Sequence, residues 1–204
     1  MVTGIPRITR IPDDRRYDER EILRYAGVRS GPADQLPLAE CLSLADGLGS
    51  GRVVWQLLPI VYTPDSIAFG TVRTESRALR TALDGCSHAV LFAATLGIGF
   101  DQLIARYRTV SPSRALLLHA IGAERIERVC DRFTDQLKTG EGLRLRPRFS
   151  PGYGDWPLEA QKEIFSLLDC GRKIGLTLNA SLIMSPSKSV TAVAGIERQE
   201  DELP

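Results

Sequence analysis

The order of the predicted strands and helices restricts the fold of this 204-residue chain more than any single motif does. β-Branched and aromatic residues predict a strand over Arg52–Tyr62, and Ser66–Gly70 follows a turn as its hairpin partner. Further strands are predicted over Ser87–Gly97, which is mostly apolar, and over Leu143–Phe149, which alternates. Because the helices between them do not follow a regular β-α-β order, the pattern favours an α+β fold. We expect a twisted, mixed or antiparallel sheet flanked by helices.

Helices are predicted where apolar residues recur at helical spacing. A short helix is expected over Asp18–Ala26, another over Leu36–Leu48, and a third after Thr74, which is predicted to cap it. A long helix opens at Ser111-Pro112, and an amphipathic one follows Trp156-Pro157. We expect residues 1–35 to form an N-terminal extension with a short helix, residues 36–197 the main domain, and residues 198–204 a polar tail.

Composition excludes several classes of function. The net charge is +1, from 26 basic and 25 acidic residues spread along the chain, and no basic stripe predicts nucleic-acid binding. The N-terminus is polar and contains Pro6 and Pro12, which is not typical of a signal peptide. No apolar run approaches the roughly 20 residues of a membrane helix. We therefore expect a cytoplasmic protein without a membrane segment.

Metal chemistry from this chain alone is not predicted. Its four cysteines are widely spaced, without a C-x-x-C pair, and are expected to be reduced and mostly buried. His88 and His119 both lie in apolar surroundings. Each is either a ligand or a hydrogen-bonded core histidine, and the core position is favoured.

The loop Arg148–Pro157, "RFSPGYGDWP", combines residues that suit a small zwitterion. Arg148 offers a charged planar fork for a carboxylate or phosphate, and glycines at 152 and 154 let the backbone approach a ligand closely. Tyr153 and Trp156 offer flat faces for a ring or a sulfonium cation, and Asp155 could accept from an amine or a hydroxyl. The alternative is a Gly/Pro corner whose aromatic rings pack on the core.

Two other motifs have simpler interpretations. "GIGFDQL", from Gly97, lacks the complete glycine-rich phosphate-binding patterns, so its glycines are expected to serve packing at a helix start. "MSPSKSV", from Met184, groups three serines and a lysine before a strand and is compatible with a solvated turn. No arrangement typical of a hydrolase stands out.

Two C-terminal segments resemble a known family: "RFSPGYGDWPLEAQKEIFSLLD", from Arg148, and "IGLTLNASLIMSPSKSVTAVAGI", which ends at Ile196. Shorter stretches, at Ile22–Arg29, Ala89–Ile104 and His119–Asp131, follow in plausible order. Together they resemble the activation domain of cobalamin-dependent methionine synthase, and more closely its free-standing, single-domain members. The resemblance covers most of the chain and implies the fold of that domain.

The resemblance also implies a binding site for S-adenosylmethionine. The family signature R-x-x-x-G-Y is matched by Arg148, Gly152 and Tyr153, and Ser150 lies at an intervening position that contacts the ligand through its backbone. By analogy, Arg148 holds the methionine carboxylate, and Tyr153 lies between the ligand and the corrinoid. The family further implies a corrinoid-facing segment, which comprises Met184, Ser185, Pro186, Ser187, Lys188 and Ser189.

The implied function is reactivation of a partner in trans. In the family, inactive cob(II)alamin receives an electron from a flavodoxin- or ferredoxin-like donor and a methyl group from S-adenosylmethionine. The cobalamin would be bound by the partner, a methionine synthase or another corrinoid protein, and this chain would be an accessory domain rather than a complete enzyme. Its task would be to position the sulfonium methyl group.

Departures from the family pattern leave other functions open. Asn179-Ala180-Ser181 stands where members often carry T-E-S, and an acidic ligand contact on the long helix falls at Arg128, beside Glu127. The chain is therefore either a reactivation subunit or a module that caps a corrinoid protein without S-adenosylmethionine chemistry. An independent S-adenosylmethionine methyltransferase is the third hypothesis, although the usual glycine-rich Rossmann loop is not evident.

Overall fold

The computed structural model describes residues 4–28 and 37–197, and a six-stranded sheet lies at the centre of them. Its long inner strands are rich in β-branched and aromatic residues, which fit a pleated surface that is covered on both faces. The strands are, in chain order, β1 (Arg7–Ile11), β2 (Gly51–Tyr62), β3 (Ile67–Phe69), β4 (Val72–Thr74), β5 (Cys86–Thr95), β6 (Thr177–Leu178), β7 (Met184–Ser185) and β8 (Ser189–Glu197).

The sheet is antiparallel. Its strand order is β4-β3-β2-β5-β8, and β1 pairs with the first half of β2. β6 and β7 form a separate two-stranded ribbon. All pairings between the described strands are antiparallel. The predicted α+β class, with an antiparallel sheet flanked by helices, is confirmed.

Helices cover both faces of the sheet. They are α1 (Glu19–Tyr25), α2 (Leu38–Leu44), α3 (Arg77–Ala82), α4 (Gly99–Tyr107), α5 (Pro112–Gly140), α6 (Ala160–Leu168) and α7 (Cys170–Ile174). On one face, the ring of Phe133 in α5 lies 5.2 Å from that of Phe92 and 5.8 Å from that of Trp55. On the other face, Ile164 of α6 and Ile174 of α7 are buried with Leu91. Residues of β5 are therefore apolar on both sides.

The first half of α5 carries a third apolar cluster. Ile22 of α1, Cys41 of α2 and Phe100 of α4 are fully buried with Leu118 and Ile121 of α5. A side chain at Gly99 would collide with Leu48, because its Cβ would lie 2.8 Å from the leucine Cδ2. The glycine at the start of α4 thus serves close packing, as the sequence predicts.

The N-terminal residues are part of the sheet, which the sequence does not predict. β1 lies within the expected extension and pairs along β2 from Arg7 with Trp55 to Ile11 with Gly51. Its Ile11 is fully buried, while most of the strand is exposed. A short, basic edge strand gives little periodic signal. The boundaries at 1–35, 36–197 and 198–204 stay a prediction, and the tail lies outside the described residues.

Two local predictions are wrong. Leu143–Phe149 is not a strand, since only Leu145 and Phe149 form isolated bridges to β8; Pro147 between them has no N–H to donate. Thr74 does not cap α3, because it ends β4 and its hydroxyl accepts from the N–H of Ser76 at 3.2 Å. Ser76 is the N-cap, and its Oγ accepts from the N–H of Leu79 at 3.0 Å.

The cysteines are buried free thiols, as predicted. Burial raises the pKa of the Cys170 thiol to about 12. The Nδ1 of His88 lies 3.1 Å from the Oγ of Ser87. His119 is exposed on α5, so the core position predicted for His119 is wrong. None of the helices within the described ranges combines the length and the apolarity that crossing a bilayer requires.

Candidate functional site

The loop that follows Phe149 starts at the edge of the sheet. Phe149 donates to and accepts from the backbone of Val193 in β8, at 2.9 Å in each direction. Because Leu145 pairs with Ile196 and Phe149 with Val193, this segment runs antiparallel to β8. The residues after Phe149 therefore continue towards the start of β8, where the segment 184–189 enters the sheet. The loop itself is held against Phe69 of β3 and the start of α3, whereas the segment 184–189 contacts α4 and Thr95.

The two aromatic residues of the loop have different environments. Trp156 is 1% exposed, stacks on Phe149 with the ring centroids 6.2 Å apart, and meets Phe69 edge-on at 6.3 Å. Tyr153 is 69% exposed. The interpretation as a corner packed on the core holds for Trp156, whereas the Tyr153 ring is accessible to a ligand or a partner.

Asp155 anchors the loop to the start of α3. Its carboxylate accepts from the Ser76 hydroxyl and from the N–H groups of Arg77 at 2.8 Å and Ala78 at 3.1 Å. These bonds, that from Ser76 first, lower the pKa of Asp155 to about 2. The carboxylate is therefore engaged within the fold, where it accepts from two backbone N–H groups and one hydroxyl.

Gly152 allows the turn in the loop. Its φ is +89°, which a residue with a side chain rarely adopts, and its N–H donates to the carbonyl of Trp156 at 2.9 Å. The carbonyl of Ser150, half-buried before the turn, accepts from the N–H of Tyr153 at 3.2 Å. The turn holds Tyr153 at the surface while Trp156 returns to the core.

Arg148 is held between two carboxylates of α5. Its Nη2 lies 3.0 Å from Oε2 of Glu127, and its Nη1 donates to Oδ1 of Asp131. Its side chain is 22% exposed. Burial alone would lower the pKa of Arg148, but the hydrogen bond to Asp131 and nearby negative charges outweigh burial and raise it. The guanidinium therefore remains charged beside the loop.

A cavity of about 420 Å³ adjoins this pair. Its volume falls in the range of small-molecule sites. Lining residues are Asp131, Thr134, Lys138, Leu145, Arg146, Pro147 and Arg148. Most of the lining residues are polar or charged, and Tyr153 is not among them.

Glu127, next to Arg128, is one of the two acidic residues that contact Arg148. Arg128 is turned towards the N-terminal segment, where its Nη2 lies 2.6 Å from Oδ2 of Asp14. The hydrogen bond from Arg128, although burial opposes it, moves the pKa of Asp14 well below its usual range. Sequence reasoning missed Asp131; the signal was available in the spacing of two acidic residues one helical turn apart on a predicted helix.

The predicted corrinoid-facing segment is partly buried. Ser185 and Ser187 are exposed and Met184 is half-buried, whereas Pro186, Lys188 and Ser189 are buried. The peptide bond between Ser185 and Pro186 is cis. Two sets of hydrogen bonds hold the segment in place. The N–H of Ser187 donates to Asp101 of α4 at 3.1 Å. The Ser189 Oγ lies 2.8 Å from both the Pro186 carbonyl and the Thr95 hydroxyl.

Lys188 is a buried cation without an ion pair in the described part of the chain. It is 4% exposed, and its stem crosses α5 at Gly122, where an added Cβ would lie 2.9 Å from the lysine Cε. Burial lowers the pKa of Lys188 to about 8, although the charge of Asp101 acts in the opposite direction. Lys188 thus lines the interior beside α5, and the exposed surface of the segment comes from Ser185 and Ser187.

Comparison with known proteins supports the fold. No family model matches the sequence, and no curated protein matches it. Among solved structures, the "Crystal Structure of the MetH Reactivation Domain bound to AdoHcy" is similar over 95% of this chain and 79% of that chain, with a TM-score of 0.68 and 15% sequence identity. The chain has the fold of that domain, and the fold that the resemblance implied is confirmed.

Proposed function

We propose that the chain binds S-adenosylmethionine at the Arg148–Tyr153 loop and presents it to a cobalamin-binding partner, which is reactivated by reductive methylation in trans. The observation that carries the proposal is the combination of fold and signature. The similar solved domain is described as bound to AdoHcy, and the R-x-x-x-G-Y residues of this chain begin in the segment that bridges to β8 at Val193. The proposed partner is a methionine synthase or another corrinoid protein.

The residues present fit such a ligand. Arg148 offers a charged fork for the methionine carboxylate, and the backbone at Ser150 and Gly152 lies beside it without a bulky side chain. The exposed ring of Tyr153 offers a face on which a partner can close. When the partner supplies cob(II)alamin and a flavodoxin- or ferredoxin-like donor supplies one electron, the sulfonium methyl is transferred and S-adenosylhomocysteine is left. The chain itself binds, orients and shields the ligand.

The second candidate is a module that caps a corrinoid protein without S-adenosylmethionine chemistry. It is favoured by the pairing of Arg148, whose two terminal nitrogens already bond to Glu127 and Asp131. In this case the exposed Tyr153, Ser185 and Ser187 would contact the partner, and Arg148 would be a structural residue.

Calorimetric titration with S-adenosylmethionine and S-adenosylhomocysteine distinguishes the two. We expect the wild type to bind and Arg148→Ala to bind at least about tenfold more weakly, because hydrogen bonds to a charged group contribute about 1.5–3 kcal/mol. Arg144→Ala, an exposed arginine of the same segment, is the matched control. Equal binding by wild type and Arg148→Ala would remove Arg148 from the site.

A partner assay tests the function itself. A corrinoid methyltransferase that lacks an activation domain is first oxidised to the cob(II)alamin form. Recovery of its activity is then followed with the wild type, with Arg148→Ala, and without S-adenosylmethionine, and every sample contains the same reduced flavodoxin- or ferredoxin-like electron donor. The proposal expects recovery only with the wild type and the ligand together. Protection of the corrinoid without any dependence on S-adenosylmethionine would favour the capping module.

A further inference from the structure

Both terminal nitrogens of Arg148 already donate to a carboxylate of α5. Nη1 donates to Asp131 and Nη2 to Glu127, so each carboxylate takes one side of the fork. A ligand carboxylate that binds the fork end-on bonds to both terminal nitrogens at once. A ligand carboxylate bound there would lie beside the negative charges of Glu127 and Asp131, and departure of one of them would relieve the repulsion.

These ion pairs are weak enough to exchange. The side chains of Glu127 and Asp131 are 44% and 64% exposed, so both carboxylates can be solvated by water when they leave Arg148. Exposed ion pairs contribute little to stability, because the charges interact in a high dielectric and holding two long side chains reduces their conformational entropy. Asp131 is the more exposed of the two, so water solvates its carboxylate more fully when it leaves Arg148.

We propose that Asp131, with Glu127, competes with the ligand carboxylate for Arg148 and so sets the affinity of the site. This inference rests on the proposed function, because it assumes that Arg148 is the ligand clamp. In the free protein the Arg148 guanidinium is paired with both carboxylates of α5. On binding, the ligand carboxylate replaces Asp131, and the displaced side chain turns to water. Affinity is thereby lowered to a value that permits release of the spent ligand.

The variant Asp131→Asn tests the competition. It removes the charge and keeps the shape, so S-adenosylhomocysteine should bind about two- to fivefold more tightly, as expected for loss of an exposed ion pair. Asp135→Asn is the matched control: it lies one turn further along α5, is 66% exposed against 64%, and pairs with Lys138 at 3.2 Å instead of Arg148. The control should leave the affinity unchanged.

A ligand without the carboxylate provides a second arm. 5′-Methylthioadenosine has the nucleoside and the thioether but no amino-acid group, so Asp131→Asn should not change its affinity. Tighter binding of both ligands in Asp131→Asn would indicate a general loosening of the loop and would overturn the competition. Weaker binding of S-adenosylhomocysteine would do so too, because Asp131 would then assist the ligand.

A third measurement does not depend on any ligand. Phenylglyoxal reacts with guanidinium groups, and mass spectrometry of peptides follows the reaction at Arg148 alone. Release of one partner should speed that reaction in Asp131→Asn and not in Asp135→Asn. An unchanged rate overturns the inference even if the wild type binds S-adenosylhomocysteine. If the wild type binds no ligand but Arg148 reacts faster in Asp131→Asn, the pairing of Arg148 with Asp131 is supported and the proposed function is refuted instead.

Discussion

Two arginine clusters meet α5, and they differ in their access to water. Arg125 is 2% exposed; its Nε lies 2.9 Å from Glu124 and its Nη1 lies 3.1 Å from Asp13, two carboxylates that are themselves 6% and 7% exposed. It also donates to the carbonyl of Arg16. Arg148 is 22% exposed, and its partners are exposed by 44% and 64%. The chemistry is the same in both, but only one cluster is shielded from solvent.

The difference in solvent exposure distinguishes an ion-pair cluster that stabilises the fold from one whose partners can be exchanged. Removing one member of a buried pair leaves a charge that neither water nor another group compensates. The Arg125 cluster therefore fastens residues 13–18 to α5, and the ring of Tyr17, 4.5 Å from the guanidinium, covers it. The Arg148 cluster can open because its carboxylates remain solvated. Lys188, which precedes β8 and packs against α5 at Gly122, is a third case: a buried cation without a carboxylate within ion-pair distance among the described residues.

The largest effect is expected from Arg125→Met, which breaks the buried cluster. It keeps the aliphatic stem but leaves Glu124 and Asp13 buried without their counter-ion, so we expect unfolding free energy to fall by about 3–5 kcal/mol. Urea denaturation followed by circular dichroism measures the change. Arg132→Met is the control, since that arginine is 32% exposed and donates to the carbonyl of Pro12. A loss as small as that of the control would contradict the distinction between the clusters.

Lys188→Met is expected to have an intermediate effect on the unfolding free energy, and to raise it instead of lowering it. The folded pKa of Lys188 is about 8, below the usual value of about 10.4. Below pH 8 the folded state therefore holds a buried charge, and its removal should raise the unfolding free energy at pH 7 by about 1–3 kcal/mol.

The pH dependence gives the sign of this effect. Between about pH 8 and 10.4 the unfolded lysine binds more protons than the folded one, so the contribution of Lys188 to stability rises with pH. The advantage of Lys188→Met should therefore shrink across this window. Lys162→Met, at an exposed position of α6, controls for the loss of a lysine. A variant that is less stable than the wild type at pH 7 would show that Lys188 has a favourable partner.

The sequence predicts the long elements and much less of these clusters. β2, β5 and α5 are found because each has a long run of apolar, β-branched or helically spaced residues, whereas β1 and β4 are too short to show one. Arg148, Gly152 and Tyr153 are recognised through a local signature of six residues. Their surroundings are not, because Arg148 meets Glu127 and Asp131 only through the packing of α5 beside β8, more than 15 residues away in the chain.

The same limit applies to the residues of the quoted loop. The sequence gives Tyr153 and Trp156 the same interpretation, and the fold separates them, because the turn at Gly152 returns only Trp156 to the core. Asp155 is a ligand candidate by its chemistry, yet it caps α3, whose start the sequence places incorrectly. Contacts between distant segments decide both outcomes, and no local pattern encodes them.

The smallest effect on stability is expected from Arg148→Met, which sharpens the comparison most. If the Arg148 cluster is exchangeable, its loss should lower the unfolding free energy by less than about 1 kcal/mol, because Glu127 and Asp131 return to water. Raising the salt concentration to about 1 M, where the screening length is about 3 Å, should reduce even that difference. Urea denaturation of Arg148→Met and Arg125→Met in parallel compares the two losses of unfolding free energy directly. A loss of about 3 kcal/mol from Arg148→Met would place both clusters in the structural class, and ligand exchange at Arg148 would then require far more free energy than the exposure of its partners indicates.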